Sequence, residues 1–300
     1  MTTTSARDRT AARLLKSSAA RSYDPDVDID WSEPALPDKY FLPEHRVSLY
    51  GTPLWERLSP EQRRELGKQE ILSITSFGIY AEVALMHLLL KVATLRDPTS
   101  SHAQYALTEV ADECRHSTMF GMAIRHSGVE AFRVPRWLRR LTDLAAILPI
   151  GPATYGGTLL VEELLDRLQR ESLADESVQP MIRMVNRIHV LEEARHISFA
   201  RAEVLRMVPR LGAVALAVNR VALGAAAPAL VGILINPRAY AAVGLDPKAA
   251  RAAARANPHH QETLHWMGER IVEFLRDSGM IHGRLTTALW RRSHLLGSAA

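Results

Sequence analysis

Residues 112–116 read Asp-Glu-Cys-Arg-His, and residues 192–196 read Glu-Glu-Ala-Arg-His. Each string is an acid followed by Glu-x-x-His, set in an otherwise apolar helical stretch. The two lie 196 − 116 = 80 residues apart, and the same shift carries Glu82 onto Glu162, Arg115 onto Arg195 and Glu109 onto His189. Each half therefore offers one Glu on a first helix and Glu-x-x-His on a second. Each half is a helical hairpin, and two hairpins make a four-helix bundle.

The spacing also dictates what the side chains share. On a helix, residues three or four apart lie on one face. Glu113 and His116 point the same way, with Glu109 one turn before them. His189, Glu193 and His196 line a second face. Glu82 sits in the apolar stripe of its helix, between Gly78 and Leu85. On the third helix Glu163 shares a face with Asp166, Arg167 and Arg170, which reads as solvent. Glu162 has Leu159 and Leu165 on either side, which reads as interior. Asp166 is one turn from Glu162, so spacing alone leaves both glutamates open, and the shift selects Glu162.

Four carboxylates facing a core are costly. An isolated ionised carboxylate in a dry interior costs on the order of tens of kcal/mol in the Born limit, so it is paired, protonated or bound to metal. Two divalent ions carry the charge that four glutamates neutralise. Glu from two helices and Glu-x-x-His from two more is the donor pattern of di-iron and di-manganese carboxylate bundles. Oxygen ligands with a few imidazoles suit iron or manganese. Asp112, Arg115, Glu192, Arg195 and Glu109 fall where side chains brace such ligands from outside. His45, His87, His102, His126, His259 and His260 lie outside the pattern and read as ordinary histidines.

Helical periodicity places the four long helices from Ser59 to the Asp97-Pro98 break, over 102–127, over 153–176 and over 179–207. Further helices are expected near 134–147, 211–235, 247–277 and 283–294. No convincing strand pattern appears, so the fold class is all-α. Residues 1–22 read as a disordered lead-in without a secretory signal. Prolines 25, 34, 37, 43 and 53 predict irregular chain over 23–54. Residues 23–300 form one all-α domain.

Bulk properties narrow the function. Of 300 residues 47% are hydrophobic, and the net charge of +4 is not gathered into a basic block, which argues against nucleic acid as a partner. The single cysteine, Cys114, permits no internal disulfide and suits a cytoplasmic location; it reads as a small buried filler. The apolar stretch 211–235 is interrupted by Arg220 and broken by Pro228, leaving pieces too short for a membrane span. A buried helix pair or a subunit contact is expected there instead, the latter giving a homodimer.

With these residues assembled, the chain resembles the p-aminobenzoate N-oxygenase family of di-iron arylamine oxygenases, from about residue 23 to 240. The resemblance rests on Tyr-Asp-Pro-Asp-Val-Asp-Ile-Asp-Trp at 23–31, on the first Glu-x-x-His string, and on His-Val-Leu-Glu-Glu-Ala-Arg-His at 189–196. It implies a ferritin-like four-helix core with added helices. It implies seven metal ligands: Glu82, Glu113, His116, Glu162, His189, Glu193 and His196, with His189 the added imidazole. It implies two iron ions, manganese being an option for one, and dioxygen as co-substrate. The reaction implied is monooxygenation of an aromatic amine toward hydroxylamine, nitroso or nitro product, with an unidentified electron donor and a homodimer. Residues 71–81 carry no Arg or Lys to anchor an aminobenzoate, so a larger, neutral or carrier-tethered amine fits as well. Met119, Met181 and Met184 are candidates to line the cavity, although methionine at helical spacing reads first as core. Other readings of the same face are an acyl desaturase or carbon hydroxylase, a non-catalytic iron-binding protein, and a helical scaffold with a vestigial Glu/His face.

Overall fold

Ser59 begins the first long helix as expected. Its hydroxyl accepts from the Gln62 amide while the Gln62 side chain returns to the Ser59 N–H, a capping box ahead of Pro60. The helix that follows, α2 (Pro60–Thr94), is 35 residues long, roughly 50 Å. In this computed structural model, which describes residues 5–140 and 149–297, it pairs with α3 (Ser101–His126) as one hairpin. Pro152–Ala174 (α4) and Pro180–Met207 (α5) form the second. α3 also packs on α5 and α2 on α4, closing the four-helix bundle. The architecture is all-α and ferritin-like, and no strand occurs among the described residues.

The N-terminal expectation is corrected. Ala6–Ala20 is a helix, α1, capped by Ser5 and laid across α3 and α5. It buries only Ala11, Leu14 and Ser18, a stripe too thin to register as periodicity. What fastens it is distant: the Arg7 guanidinium makes two bonds to Glu203 at 2.9 and 2.8 Å. The chain over 23–54 is irregular as expected apart from short helical turns at Pro25–Asp28 and Glu44–Arg46, but it is no mere surface wrap. Phe41, Leu42, Val47 and Leu49 are buried against the bundle, and Ser48 donates both its N–H and its hydroxyl to buried Glu70.

Beyond the bundle, α6 (Ala213–Val231) runs straight through Pro228. Pro228 falls in the last turn, where its missing N–H forfeits a single bond. This overturns the reading that Pro228 breaks the stretch. By length and composition α2 and α6 are each able to cross a membrane. α2 carries buried Glu70 and Glu82 within the bundle. α6 packs through Leu223, Gly224 and Ala227 and leaves Val214 and Val218 exposed, so its expected burial holds on one side only. The stretch 247–277 is two helices, α7 (Pro247–Ala256) and α8 (Pro258–Asp277), divided at Asn257, whose amide donates to the carbonyls of Ser48 and Tyr50. Helix α9 (Arg284–Arg291) packs on α6. Of the helix expected near 134–147, residues 136–140 are helical, 134–135 are not, and 141–147 lie outside the described residues.

Candidate metal centre

Seven donors meet at mid-bundle because each helix turns one face inward. α2 brings Glu82, α3 Glu113 and His116, α4 Glu162, and α5 His189, Glu193 and His196; all are buried. Six of them fall into two groups whose ligand atoms all lie within 4.8 Å of one another: Glu82, His116, His189 and Glu193, and Glu113, His116, Glu193 and His196. Glu193 and His116 belong to both groups. Glu162 stands outside both, with Glu193, Glu113 and His196 as charged neighbours. The adjacent glutamates are not divided as expected. Glu163 is also buried, since Arg201 reaches it from α5 at 2.8 Å, but it faces away from the donors.

The outer supports mirror the repeat. His116 and His196 turn Nδ1 inward, to Glu113 at 3.0 and 2.9 Å respectively. Their outer nitrogens cross between hairpins: His116 Nε2 meets Glu192 at 2.9 Å, and His196 Nε2 meets Asp112 at 3.3 Å. Each acid that precedes Glu-x-x-His thus braces the other helix's histidine, which fixes tautomer and ring orientation. Arg195 bonds Asp112 at 3.1 Å and lies 3.5 Å from Glu192, and Arg115 also binds Asp112. The backbone of the N-terminal segment completes this shell, as the Tyr23 N–H donates to Glu192 and the Arg21 carbonyl accepts from Arg195.

His189 is held differently. Its Nε2 faces Glu82 at 3.3 Å, and its Nδ1 meets Gln169 at 2.7 Å. Gln169 was missed in the sequence. The signal available was its place two turns beyond Glu162 on α4. The Phe120 ring packs on His189 with centroids 4.9 Å apart.

Electrostatics separate the carboxyls. Burial, then the charges of Glu113 and Glu193, push Glu82 well above the usual range; burial, then Glu193 and Glu113, do the same to Glu162. Glu109 is pushed up to about 8, chiefly by burial. Burial works the same way on Glu113 and Glu193, but His196 with the other imidazoles outweighs it, bringing Glu113 down to about 2 and Glu193 well below its ordinary value. Both oxygens of Glu162, and one each of Glu193 and Glu109, are buried without a hydrogen bond. Buried acceptors left empty cost about 1–3 kcal/mol each, which a cation among them removes. Carboxylates and imidazoles with no thiolate suit a pair of iron or manganese ions, so the residues fit the group. Cys114 takes no part and, against expectation, is exposed.

A cavity of about 420 Å³ reaches the centre, with Glu82, Glu162 and His189 in its wall and Phe77, Leu85, Val161 and Leu165 among its apolar lining. Met119, Met181 and Met184 pack elsewhere, with Ile29, Phe120, Val185 and Ile188.

The family model described as p-aminobenzoate N-oxygenase AurF matches residues 4–279. Uncharacterised proteins of Mycobacterium bovis and Mycobacterium tuberculosis are 32% identical over 208 residues, which is 67% of this chain and 61% of theirs. The match thus spans less than two thirds of those relatives. Among solved structures, an R2-like ligand-binding oxidase variant with an aerobically reconstituted Mn/Fe cofactor aligns over 97% of this chain and 92% of its own, at 14% identity and a TM-score of 0.47. By its family match the chain belongs to the p-aminobenzoate N-oxygenase family of oxidoreductases.

Proposed function

We propose that the chain is a two-metal, dioxygen-dependent N-oxygenase that oxidises an aromatic amine toward hydroxylamine, nitroso or nitro product. Glu82, Glu113, His116, Glu162, His189, Glu193 and His196 hold the ions, iron in both positions or manganese in one. Bound there, the reduced pair supplies electrons that activate dioxygen for transfer of an oxygen atom to the amine nitrogen. The observation that carries this reading is the apolar cavity ending on Glu82, Glu162 and His189.

The chain's own residues do the rest. The aliphatic wall strips water from the aryl group and turns its polar end toward the donors. Burial raises Glu82 and Glu162, the two carboxyls lining the cavity. The crossed supports from Asp112 and Glu192 keep the imidazoles oriented through the redox cycle. An electron donor of the cytoplasm returns the ions to their reduced state.

The test is anaerobic loading with ferrous iron, admission of oxygen with a panel of aryl amines, and mass spectrometry of the products. Oxygen on nitrogen supports the proposal. Oxygen or unsaturation at carbon replaces it with the desaturase or hydroxylase reading, and iron uptake with every amine unchanged replaces it with iron binding alone.

A further inference from the structure

A second pocket adjoins the cavity that reaches the metal donors. It holds about 330 Å³ and shares four wall residues, Phe77, Trp137, Ala229 and Ile233, with the first. The rest of its wall has a different character. Arg133, Arg251 and Arg255 line it, and no carboxylate does so among the described residues. Arg251 donates to the Gly232 carbonyl at 2.8 Å and so closes the C-terminal end of α6. Arg133 and Arg255 are exposed and enter no ion pair with a described residue. Three guanidiniums around one concavity concentrate anions there and offer forked donors that match a carboxylate or a phosphate.

The geometry sets the length of what binds. Of α2, Phe77 and Ser73 line the arginine pocket, five and nine residues before Glu82, about 7 to 13 Å of helix axis. In p-aminobenzoate one ring separates amine from carboxylate, a span shorter than most of that separation.

We infer that the two pockets form one site for an amphiphilic substrate: an apolar aryl body in the cavity, and a carboxylate or phosphate at its far end held by Arg133, Arg251 and Arg255. This deepens the proposed function and rests on it only for the identity of the reacting end. The arginines supply the anion recognition that residues 71–81 lack, at a distance that selects an extended substrate.

The test is binding, which turnover does not enter. The metal-loaded full chain is titrated by calorimetry under nitrogen with three probes: an aminophenyl-octanoic acid, its uncharged primary amide, and the phosphate monoester of the matching alcohol. One or both anions bind roughly tenfold or more tighter than the amide, and the tighter of the two names the anionic group. In R133Q/R255Q the gap closes while the affinity for the amide and the melting temperature stay unchanged. Equal affinity for all three probes overturns the inference, as does a gap that survives R133Q/R255Q. Lys91, at the other end of the first cavity, is the control: a gap that closes in K91Q instead puts the anion there and also overturns it. Tight arginine-dependent binding with no nitrogen oxidation on admitting oxygen leaves this site standing and removes the reaction.

Discussion

Replacing Gln169 by leucine tests whether the outer support of His189 sets the strength of one metal position. Gln169 Oε1 and His189 Nδ1 are 2.7 Å apart and buried. With Nε2 turned to Glu82, Nδ1 carries the ring proton and the amide oxygen accepts it. His116 and His196 lean on carboxylates, whereas His189 leans on a neutral group. Burial, the largest influence, brings its pKa down to about 4, so it enters the site as neutral imidazole, ready to ligate.

Gln169→Leu keeps most of the volume and strands that N–H, at a cost of roughly 1–3 kcal/mol. It also frees the ring to turn, and losses of this kind lower metal affinity about 10–100-fold. The loss is local. His189 belongs to the group with Glu82, and the group with Glu113 and His196 does not contain it. Anaerobic titration with ferrous iron should therefore find one tight and one weakened site in Gln169→Leu, while Gln169→Glu, which keeps an acceptor, should hold two. Two unchanged sites, or both weakened alike, would refute the reasoning.

Three further perturbations separate neighbouring roles. Glu162→Gln should lower the metal content measured by elemental analysis, whereas Glu163→Gln should leave it intact and cost roughly 1–3 kcal/mol in urea unfolding by loosening Arg201. Arg7→Ala should cost roughly 1 kcal/mol by removing the two bonds that tie α1 to Glu203, which keeps Arg206 as a partner, and an unchanged denaturation midpoint would mean that α1 contributes nothing. Glu70 is buried beneath Ser48, and burial pushes its carboxyl up to about 7. A raised acid contributes stability below its unfolded pKa and loses it as pH climbs through the folded value. The native chain should therefore lose roughly 1 kcal/mol between about pH 6 and 8 that Glu70→Gln does not lose, as read from denaturant curves at the two pH values.

The four bundle helices and the convergence of the donors were legible because both follow from local spacing. Glu113 and His116 share a face whatever lies opposite, and Ser59-Pro60 marks a helix start from its own chemistry. What stayed hidden depends on partners far along the chain. α1 is anchored by Arg7 to Glu203, 196 residues away. Glu163 is drawn inside by Arg201, 38 residues on, and nothing near it in sequence announces that. Asn257 divides α7 from α8 by reaching back to Ser48. The arginine pocket gathers side chains from residues 133, 251 and 255, a juxtaposition the tertiary fold alone creates.

The repeat is most informative where it fails. Asp112 and Glu192 brace each other's histidines in near-perfect exchange, yet the shift that equates them also equates Glu109 with His189. On the Glu109 side an unpartnered buried oxygen and a pKa near 8 mark a carboxyl that burial keeps protonated. On the other side the corresponding residue is a neutral imidazole, and that is the side open to the apolar cavity. A carboxyl there would add a further like charge to a wall that already holds Glu82 and Glu162. Imidazole offers a nitrogen donor without that charge at the end of the apolar wall. Among the paired inward-facing residues the chemical class changes only between Glu109 and His189, and His189 stands with Glu82 and Glu162 in the cavity wall.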